Sequence, residues 1–313
     1  MPPLSPEAGP PVAVVPTDAE IEAAVVRAGG SLVAPGVAGA IVWTDPRDPE
    51  ALRRVLAESP ARWIQLPFAG IERFHAAGVL DPNRTWTCAK GVYGPASAEH
   101  ALALLLLAAR ALHRHVRARR WLRAGDGRPA RRLADGTVLI VGTGGIGRSL
   151  AMMLAPLGPR IIAVNRSGRP MDGAERTVAL ADLGEVLPQA DWVVIAAPLT
   201  AETRGIFDAR AFQSMKRDAW IVNVARGGLV DTDALVAALR DGKIGGAALD
   251  VSDPEPLPEG HPLWSMDDVV VTSHTANTWR MALPALAALV ERNVRRFARG
   301  EPLEGLVDVE AGY

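Results

Sequence analysis

Three side chains in the last third of the chain combine types that can move a proton beside an anion. They are Arg226 in Val222-Asn-Val-Ala-Arg-Gly-Gly, Glu255 in Asp250-Val-Ser-Asp-Pro-Glu-Pro, and His274 in Val271-Thr-Ser-His-Thr-Ala-Asn. A guanidinium is a planar fork that matches a carboxylate. An imidazole exchanges protons near neutral pH, and a neighbouring carboxylate stabilises its charged form. Together they suit reduction of a 2-keto acid: the cation holds the carboxylate and polarises the carbonyl, and the imidazolium protonates the developing alkoxide as hydride arrives. In oxidation, the neutral imidazole would accept the hydroxyl proton. Taken singly, each has a plainer reading: a surface arginine, an acid in a proline-rich loop, a hydrogen-bonded structural histidine.

Each of the three follows a short apolar run, Ile221–Val224, Ala247–Val251 and Val269–Val271. Similar runs at Val12–Val15, Ala40–Trp43, Trp63–Leu66, Val138–Val141, Ile161–Val164 and Trp192–Ala196 alternate with helix-length segments. Such runs read as buried parallel strands, and the alternation as α/β. Ligands of open parallel sheets bind beyond the carboxyl ends of the strands, so the three side chains can converge on one crevice. Asp231 or Thr232 can cap a helix over Ala234–Leu239 that Gly242 stops. A last helix runs over Met281–Ala298 to Gly300 and Pro302, and Ser97–Trp121 reads as one long helix.

The most specific local feature is Thr137-Val-Leu-Ile-Val-Gly142-Thr-Gly144-Gly145-Ile146-Gly147-Arg148. Gly142 permits the tight turn, Gly144 lets backbone approach a pyrophosphate, and Gly147 allows close helix–strand packing. The run follows a strand and opens a helix over Arg148–Leu157 whose N-terminal N–H groups face the phosphates, the context that separates a dinucleotide site from an incidental glycine turn. An NAD site places an acid at the tip of the next strand, on the ribose 2′-hydroxyl. Here that tip is Asn165-Arg166-Ser167, with Arg169 beyond, and these donors and cations suit a 2′-phosphate. NADP is therefore favoured over NAD.

With 313 residues the chain is comfortable for two domains, and 49% apolar against 22% charged residues is ordinary for a globular protein. A net charge of −1 offers no field for nucleic acid or an anionic membrane. The longest apolar run, Ala101–Ala109, is about half of what a bilayer span needs. The proline-rich tip Met1–Pro11 lacks the pattern of a secretory signal and is expected to be disordered. Cys88, the single cysteine, excludes an internal disulfide and a multi-cysteine metal site and reads as a structural thiol. No metal is expected, since the close pair His113 and His115 would point apart on a helix. No Gly-x-Ser-x-Gly elbow supports a serine nucleophile. A cytoplasmic setting fits these features.

Several motifs, in order, resemble the D-isomer-specific 2-hydroxyacid dehydrogenase family over roughly Tyr93 to Asn277. They are Ala98-Glu-His-Ala-Leu-Ala-Leu104, the glycine turn, Ala197-Pro198-Leu-Thr200-Ala-Glu-Thr203-Arg-Gly, Asn223-Val-Ala-Arg226-Gly, Ala248-Leu-Asp250-Val-Ser-Asp-Pro-Glu255-Pro-Leu and Ser273-His274. The resemblance implies catalytic roles for Arg226, Glu255 and His274. It places Pro198, Thr200 and Thr203 on the adenosine side, backbone of Val224 and Ala225 beside the nicotinamide, and Asp250 on its carboxamide. Arg226 and His274 then face both cofactor and substrate. In Leu66-Pro-Phe-Ala69-Gly70-Ile-Glu72, Ala69 and Gly70 match the loop whose N–H groups hold the substrate carboxylate, although the family more often has Val-Asp after that glycine.

Asn165-Arg166-Ser167 and the ending Gly305-Leu-Val-Asp308 to Gly312-Tyr313 are similar to NADP-preferring glyoxylate and hydroxypyruvate reductases. The implied layout is two Rossmann-like domains with doubly wound parallel sheets. The resemblance implies a cofactor domain over 94–280 inserted in a substrate domain made of 1–93 and 281–313, and a homodimer. Related formate dehydrogenases pair their histidine with glutamine, against which Glu255 argues. A phosphite dehydrogenase and an NAD(P)-sensing regulatory protein of the same fold share the motifs. Trp43, Phe68 and Trp279 suggest an apolar wall for a small acid.

Overall fold

The computed structural model describes residues 9–123 and 129–310. The chain divides into two compact units, Met1–Tyr93 with Thr278–Tyr313, and Gly94–Asn277. The first begins with β1 (Pro11–Val15), α1 (Ala19–Arg27), β2 (Ser31–Leu32), β3 (Ala40–Trp43), α2 (Pro49–Ala57), β4 (Trp63–Gln65), α3 (Glu72–Ala76) and β5 (Thr85–Thr87). The second holds α4 (Gly94–Ala109), α5 (Leu112–Ala118), β6 (Thr137–Val141), α6 (Gly145–Leu154), β7 (Arg160–Asn165), β8 (Arg176–Ala179), α7 (Leu183–Val186), β9 (Trp192–Ile195), α8 (Ala209–Ser214), β10 (Trp220–Asn223), α9 (Thr232–Arg240), β11 (Gly246–Leu249) and β12 (Val269–Val271). The chain then returns to the first unit as α10 (Trp279–Arg299).

In the first unit the strands form one parallel sheet in the order β2-β1-β3-β4-β5. Helices α1 and α10 cover one face, packing Ile21 and Val25 with Leu286 and Val290 around Val12, Val42 and Trp63. On the other face Leu52 of α2 and Phe74 of α3 meet Ile41, Ile64 and Trp43. Trp43 is 2% exposed and belongs to this core. Cys88 is also buried, and burial pushes its thiol up, away from the reactive thiolate. The tail clips onto β5: Val307 N–H donates to the Trp86 carbonyl (3.0 Å), and Cys88 N–H donates to the Gly305 carbonyl (2.8 Å). Gly312 and Tyr313 lie outside the described residues, as do 1–8 of the expected disordered tip. Pro11 of that tip opens β1.

The second unit is a seven-stranded parallel sheet, β12-β11-β10-β9-β6-β7-β8. Its central strands are buried on both faces, and the period-2 alternation divides them. Val138, Ile140, Val194 and Val222 face α4 and α6. Leu139, Val141, Val193 and Ile221 face α7, α8 and α9. Asp231 caps α9 by accepting the Ala234 N–H at 3.0 Å. The single helix expected over Ser97–Trp121 is instead two, broken where Ala111 takes φ +51.

Candidate active site

Arg226, Glu255 and His274 sit in the loops that leave the carboxyl ends of β10, β11 and β12, three neighbouring strands. Asn223, wholly buried at the end of β10, shapes the first loop. Its Oδ1 accepts the Ala225 N–H (3.0 Å) and its Nδ2 donates to the Arg226 carbonyl (2.9 Å). The half-buried Arg226 donates from Nη1 to the Ala225 carbonyl (2.7 Å). Gly227 then brings this loop onto the next one, since a Cβ there would lie 1.9 Å from the Ser252 carbonyl oxygen. Thr232 Oγ1 donates to the Asp253 carbonyl (2.7 Å). No side chain larger than hydrogen fits at 227, so the loops carrying Arg226 and Glu255 are interlocked through backbone.

Glu255 reaches from that second loop to the third. Its Oε1 lies 2.7 Å from His274 Nδ1, with the side chains 42% and 49% exposed. The carboxylate holds the Nδ1 proton and leaves Nε2 to exchange one with a substrate. His274 itself has φ +53, a left-handed conformation that costs an ordinary residue roughly 1–2 kcal/mol. Asp250 imposes it from both sides. Its carbonyl accepts the His274 N–H (2.8 Å), and its carboxylate accepts Thr272 Oγ1–H (2.6 Å) and the N–H groups of Thr275 (2.9 Å) and Ala276 (3.0 Å). Burial, at 1% exposure, pushes this carboxyl up. The hydrogen bonds from His100, Thr272, Thr275 and Ala276 outweigh burial and hold it well below the usual carboxylate range.

The glycine turn occupies the end of β6. Gly142 has φ +111, and a Cβ there would lie 2.4 Å from the Ala196 carbonyl carbon. At Gly147 a Cβ would lie 2.0 Å from the Gly142 carbonyl oxygen and 3.2 Å from Ile140 Cγ2. At Gly144 a Cβ would meet nothing within 4 Å. Two of the glycines thus serve internal packing, and the third keeps bare backbone at the mouth of α6, where Gly145 and Ile146 begin the helix. Positive φ, close strand–helix approach and an uncovered helix N-terminus fit a pyrophosphate.

Beyond β7, Asn165 is taken up by its own loop: Oδ1 accepts the Ser167 N–H (3.1 Å), and Nδ2 donates to the Arg169 carbonyl (2.7 Å). Arg166, Ser167 and Arg169 are exposed, and Arg166 Nε lies 3.7 Å from Glu202 Oε2. In the loop after β9, buried Thr203 donates from Oγ1 to the Pro198 carbonyl (2.7 Å) and accepts the Thr200 N–H (2.8 Å). Val224 and Ala225 are buried at 5% and 6% exposure.

Ala69 and Gly70 belong to the first unit, in the loop after β4. Gln65 Nε2 donates to the Leu66 carbonyl (2.9 Å), Tyr93 Oη to the Pro67 carbonyl, and the Ala89 N–H to the Phe68 carbonyl (3.2 Å). Phe68 packs between Tyr93 and Trp279 in tilted ring contacts, with ring centroids 5.7 and 5.9 Å away.

Sequence reasoning did not single out Asn223, Thr272, Thr275 or the catalytic-loop side of His100. His100 belonged to a motif already noted, but its partners lie far along the chain. A pocket lined by His113, Arg131, Trp192 and Trp220 lies at the opposite ends of the strands, by the amino ends of the central β9 and β10.

Residues 101–276 match the NAD binding domain family of D-isomer specific 2-hydroxyacid dehydrogenases. The chain is 43% identical over 258 residues to an uncharacterized protein of Corynebacterium melassecola, covering 80% of this chain and 84% of that one. It is 38% identical over 223 residues to the glyoxylate reductase of Pyrococcus furiosus, covering 69% of this chain and 66% of the relative's length. A solved structure of the NADPH-dependent glyoxylate/hydroxypyruvate reductase from Sinorhizobium meliloti, in complex with NADP and sulfate, superimposes with a TM-score of 0.82 at 28% identity, covering 97% of this chain and 100% of that one. With its two all-parallel α/β units, the chain belongs to the D-isomer specific 2-hydroxyacid dehydrogenase family and is an NAD(P)-dependent 2-hydroxyacid dehydrogenase.

Proposed function

We propose that the protein reduces a small 2-keto acid of the glyoxylate or hydroxypyruvate kind, with NADPH preferred over NADH. The observation that carries the reading is the 2.7 Å His274–Glu255 pair, which ties the loop after β12 to the loop after β11, itself beside the one that carries Arg226. Arg226 grips the carboxylate and polarises the keto oxygen. His274, propped by Glu255 at Nδ1, gives its Nε2 proton to that oxygen as the carbonyl carbon becomes C–H, and the product is the 2-hydroxy acid. A bound dihydronicotinamide supplies the hydride.

In this reading Gly94–Asn277 is the cofactor unit and the remainder the substrate domain. Backbone of Gly142, Gly144, Gly145, Ile146 and Gly147 cradles the pyrophosphate. Asn165 shapes the loop from which Arg166 and Ser167 meet the 2′-phosphate, and Pro198 and Thr203 border the adenosine. Val224 and Ala225 back the nicotinamide. Asp250 keeps an acceptor position on Oδ2 for the carboxamide while it holds the His274 turn. A homodimer in the cytoplasm completes the proposal.

The test is NADPH oxidation over a panel of 2-keto acids, with phosphite and NADP in the reverse assay. Arg226→Ala should lower kcat/KM by about 10³-fold, the order seen when a charge-stabilising group is removed, and leave cofactor affinity nearly intact. Retained turnover in that variant refutes the assignment. Turnover of phosphite alone, or tight cofactor binding without turnover of any acid, replaces it with the phosphite or the sensor reading.

A further inference from the structure

The catalytic turn has an anchor outside its own loops. Helix α4 places His100, its side chain 22% exposed, with Nε2 3.0 Å from Thr272 Oγ1 and 3.4 Å from Asp250 Oδ1. The direction of these bonds follows from proton count. Thr272 has one hydroxyl proton and donates it to Asp250 Oδ1 at 2.6 Å. Its oxygen can therefore only accept from His100, so the imidazole carries its proton on Nε2. The chain of donors runs from His100 Nε2–H to Thr272 Oγ1–H to Asp250, and Asp250 fixes the backbone before and after His274.

We infer that His100 is a positioning residue for the reaction, acting on His274 through Asp250, which it reaches chiefly by way of Thr272. A threonine hydroxyl left alone can rotate toward solvent or toward a backbone carbonyl. With His100 donating to its oxygen, the hydroxyl proton is directed at Asp250 and the carboxylate keeps one orientation. That orientation sets where the His274 turn sits, and with it the ring opposite the substrate carbonyl. His100 touches neither reacting atoms nor Glu255; its effect reaches the chemistry only through the turn. The inference rests on the reading of His274 as the proton donor.

The experiment is a double-mutant cycle with steady-state kinetics on glyoxylate and cofactor titration by fluorescence. His100→Leu should lower kcat about tenfold, the order expected for a hydrogen bond into a charged network, with NADPH Kd changed less than about twofold. His100→Gln, whose amide nitrogen reaches the Nε2 position, should recover most of the loss. Thr272→Val should lose part of what His100→Leu loses, since His100 Nε2 keeps its 3.4 Å approach to Asp250 Oδ1, and the pair together should be no worse than His100→Leu alone. On a His274→Ala background, His100→Leu should cost nothing further.

An equal loss with and without His274, or no recovery by glutamine, shows a structural role and overturns the inference while leaving His274 as donor. Full activity in His274→Ala itself overturns the functional reading and this inference together. That outcome is told apart because it needs no change at His100. Should His100→Leu fail to fold, the glutamine and Thr272→Val variants carry the same cycle.

Discussion

Replacing Asp250 by asparagine keeps the shape of the side chain and removes its charge, and the cost can be worked from its partners. The carboxylate accepts from Thr272 Oγ1 and Thr275 N on one oxygen and from Ala276 N on the other. Asparagine has one acceptor atom, so its NH2 must face a backbone N–H whichever way the amide is turned. The cheaper orientation keeps the oxygen toward Thr272 and Thr275 and sets NH2 against the Ala276 N–H, in a side chain that is 1% exposed. One hydrogen bond to a charge is lost, about 1.5–3 kcal/mol, and a buried donor is left unsatisfied at about 1–3 kcal/mol. Relief of the buried charge offsets part of this, which leaves about 2–4 kcal/mol against the closed turn. The turn has little reserve, because His274 at φ +53 already opposes it.

At about 1.4 kcal/mol per decade, the population with His274 correctly set falls by about 30- to 700-fold. The prediction for Asp250→Asn is a kcat loss of about 30- to 700-fold at saturating glyoxylate and NADPH. NADPH Kd should change far less. The assay is NADPH oxidation beside cofactor titration, with the thermal midpoint recorded to show that the variant is folded. Wild-type kcat in a folded Asp250→Asn refutes the reasoning. A loss confined to cofactor affinity also refutes it, by showing that the carboxylate works chiefly on the carboxamide.

The glycine turn gives a paired prediction. Gly147→Val should lower the thermal midpoint and abolish cofactor binding, because even a Cβ would lie 2.0 Å from the Gly142 carbonyl oxygen. Gly144→Ala should fold normally, since nothing lies within 4 Å of its Cβ, yet raise cofactor Kd at least tenfold; calorimetry and titration separate the two. Arg166→Ala combined with Arg169→Ala should weaken NADPH about tenfold and leave NADH unchanged, with the contrast fading at high salt, as fluorescence titration at two ionic strengths will read. Stability should fall with acid. Asp191, Asp250 and Asp268 are pushed up by burial but held below the ordinary carboxylate range by their partners: Arg131, Thr137 and Lys216 for Asp191, and His113 and Arg114 for Asp268. A carboxyl lowered in the folded state stabilises it above the unfolded value of about 4 and loses that contribution as pH falls further. Urea midpoints measured down to about pH 3 should therefore drop below about pH 4, less steeply in Asp268→Asn.

Strands buried on both faces were readable because their runs are almost wholly apolar and most are rich in β-branched residues. Ala40–Trp43 and Val269–Val271 have the bounds read from their composition, and the other strands read shift by a residue or two. Three strands escaped notice: Ser31–Leu32, Thr85–Thr87 and Arg176–Ala179. All three lie at sheet edges, where neighbours cover fewer sides and the alternation is too short to register. The break in the helix after Ala109 was invisible for a different reason. Ala111 turns left-handed with no glycine or proline to announce it, and His113, Arg114 and Arg117 of the following helix are then tied to residues 266–269. Tertiary partners override local propensity there.

The site divides along the same line. Arg226, Glu255 and His274 could be picked out because successive strands β10, β11 and β12 are also neighbours in the sheet, so order along the chain equals order in space. From β6 the order reverses: β7 and β8 run one way, β9 to β12 the other, and the glycine turn stands at the reversal. At about 4.8 Å per strand, β6 and β12 are roughly 19 Å apart, a span that an extended dinucleotide anchored at the turn can largely bridge. A glycine fingerprint and strand-end polar residues thus specify both ends of a cofactor's track. His100 and Thr272 are separated by 172 residues, and no spacing rule joins them. Their hydrogen bond exists because α4 packs across β10 and β11, a placement set by the apolar faces of all three. Chemistry that touches ligand is therefore written in short motifs, while the support that holds it is written in packing.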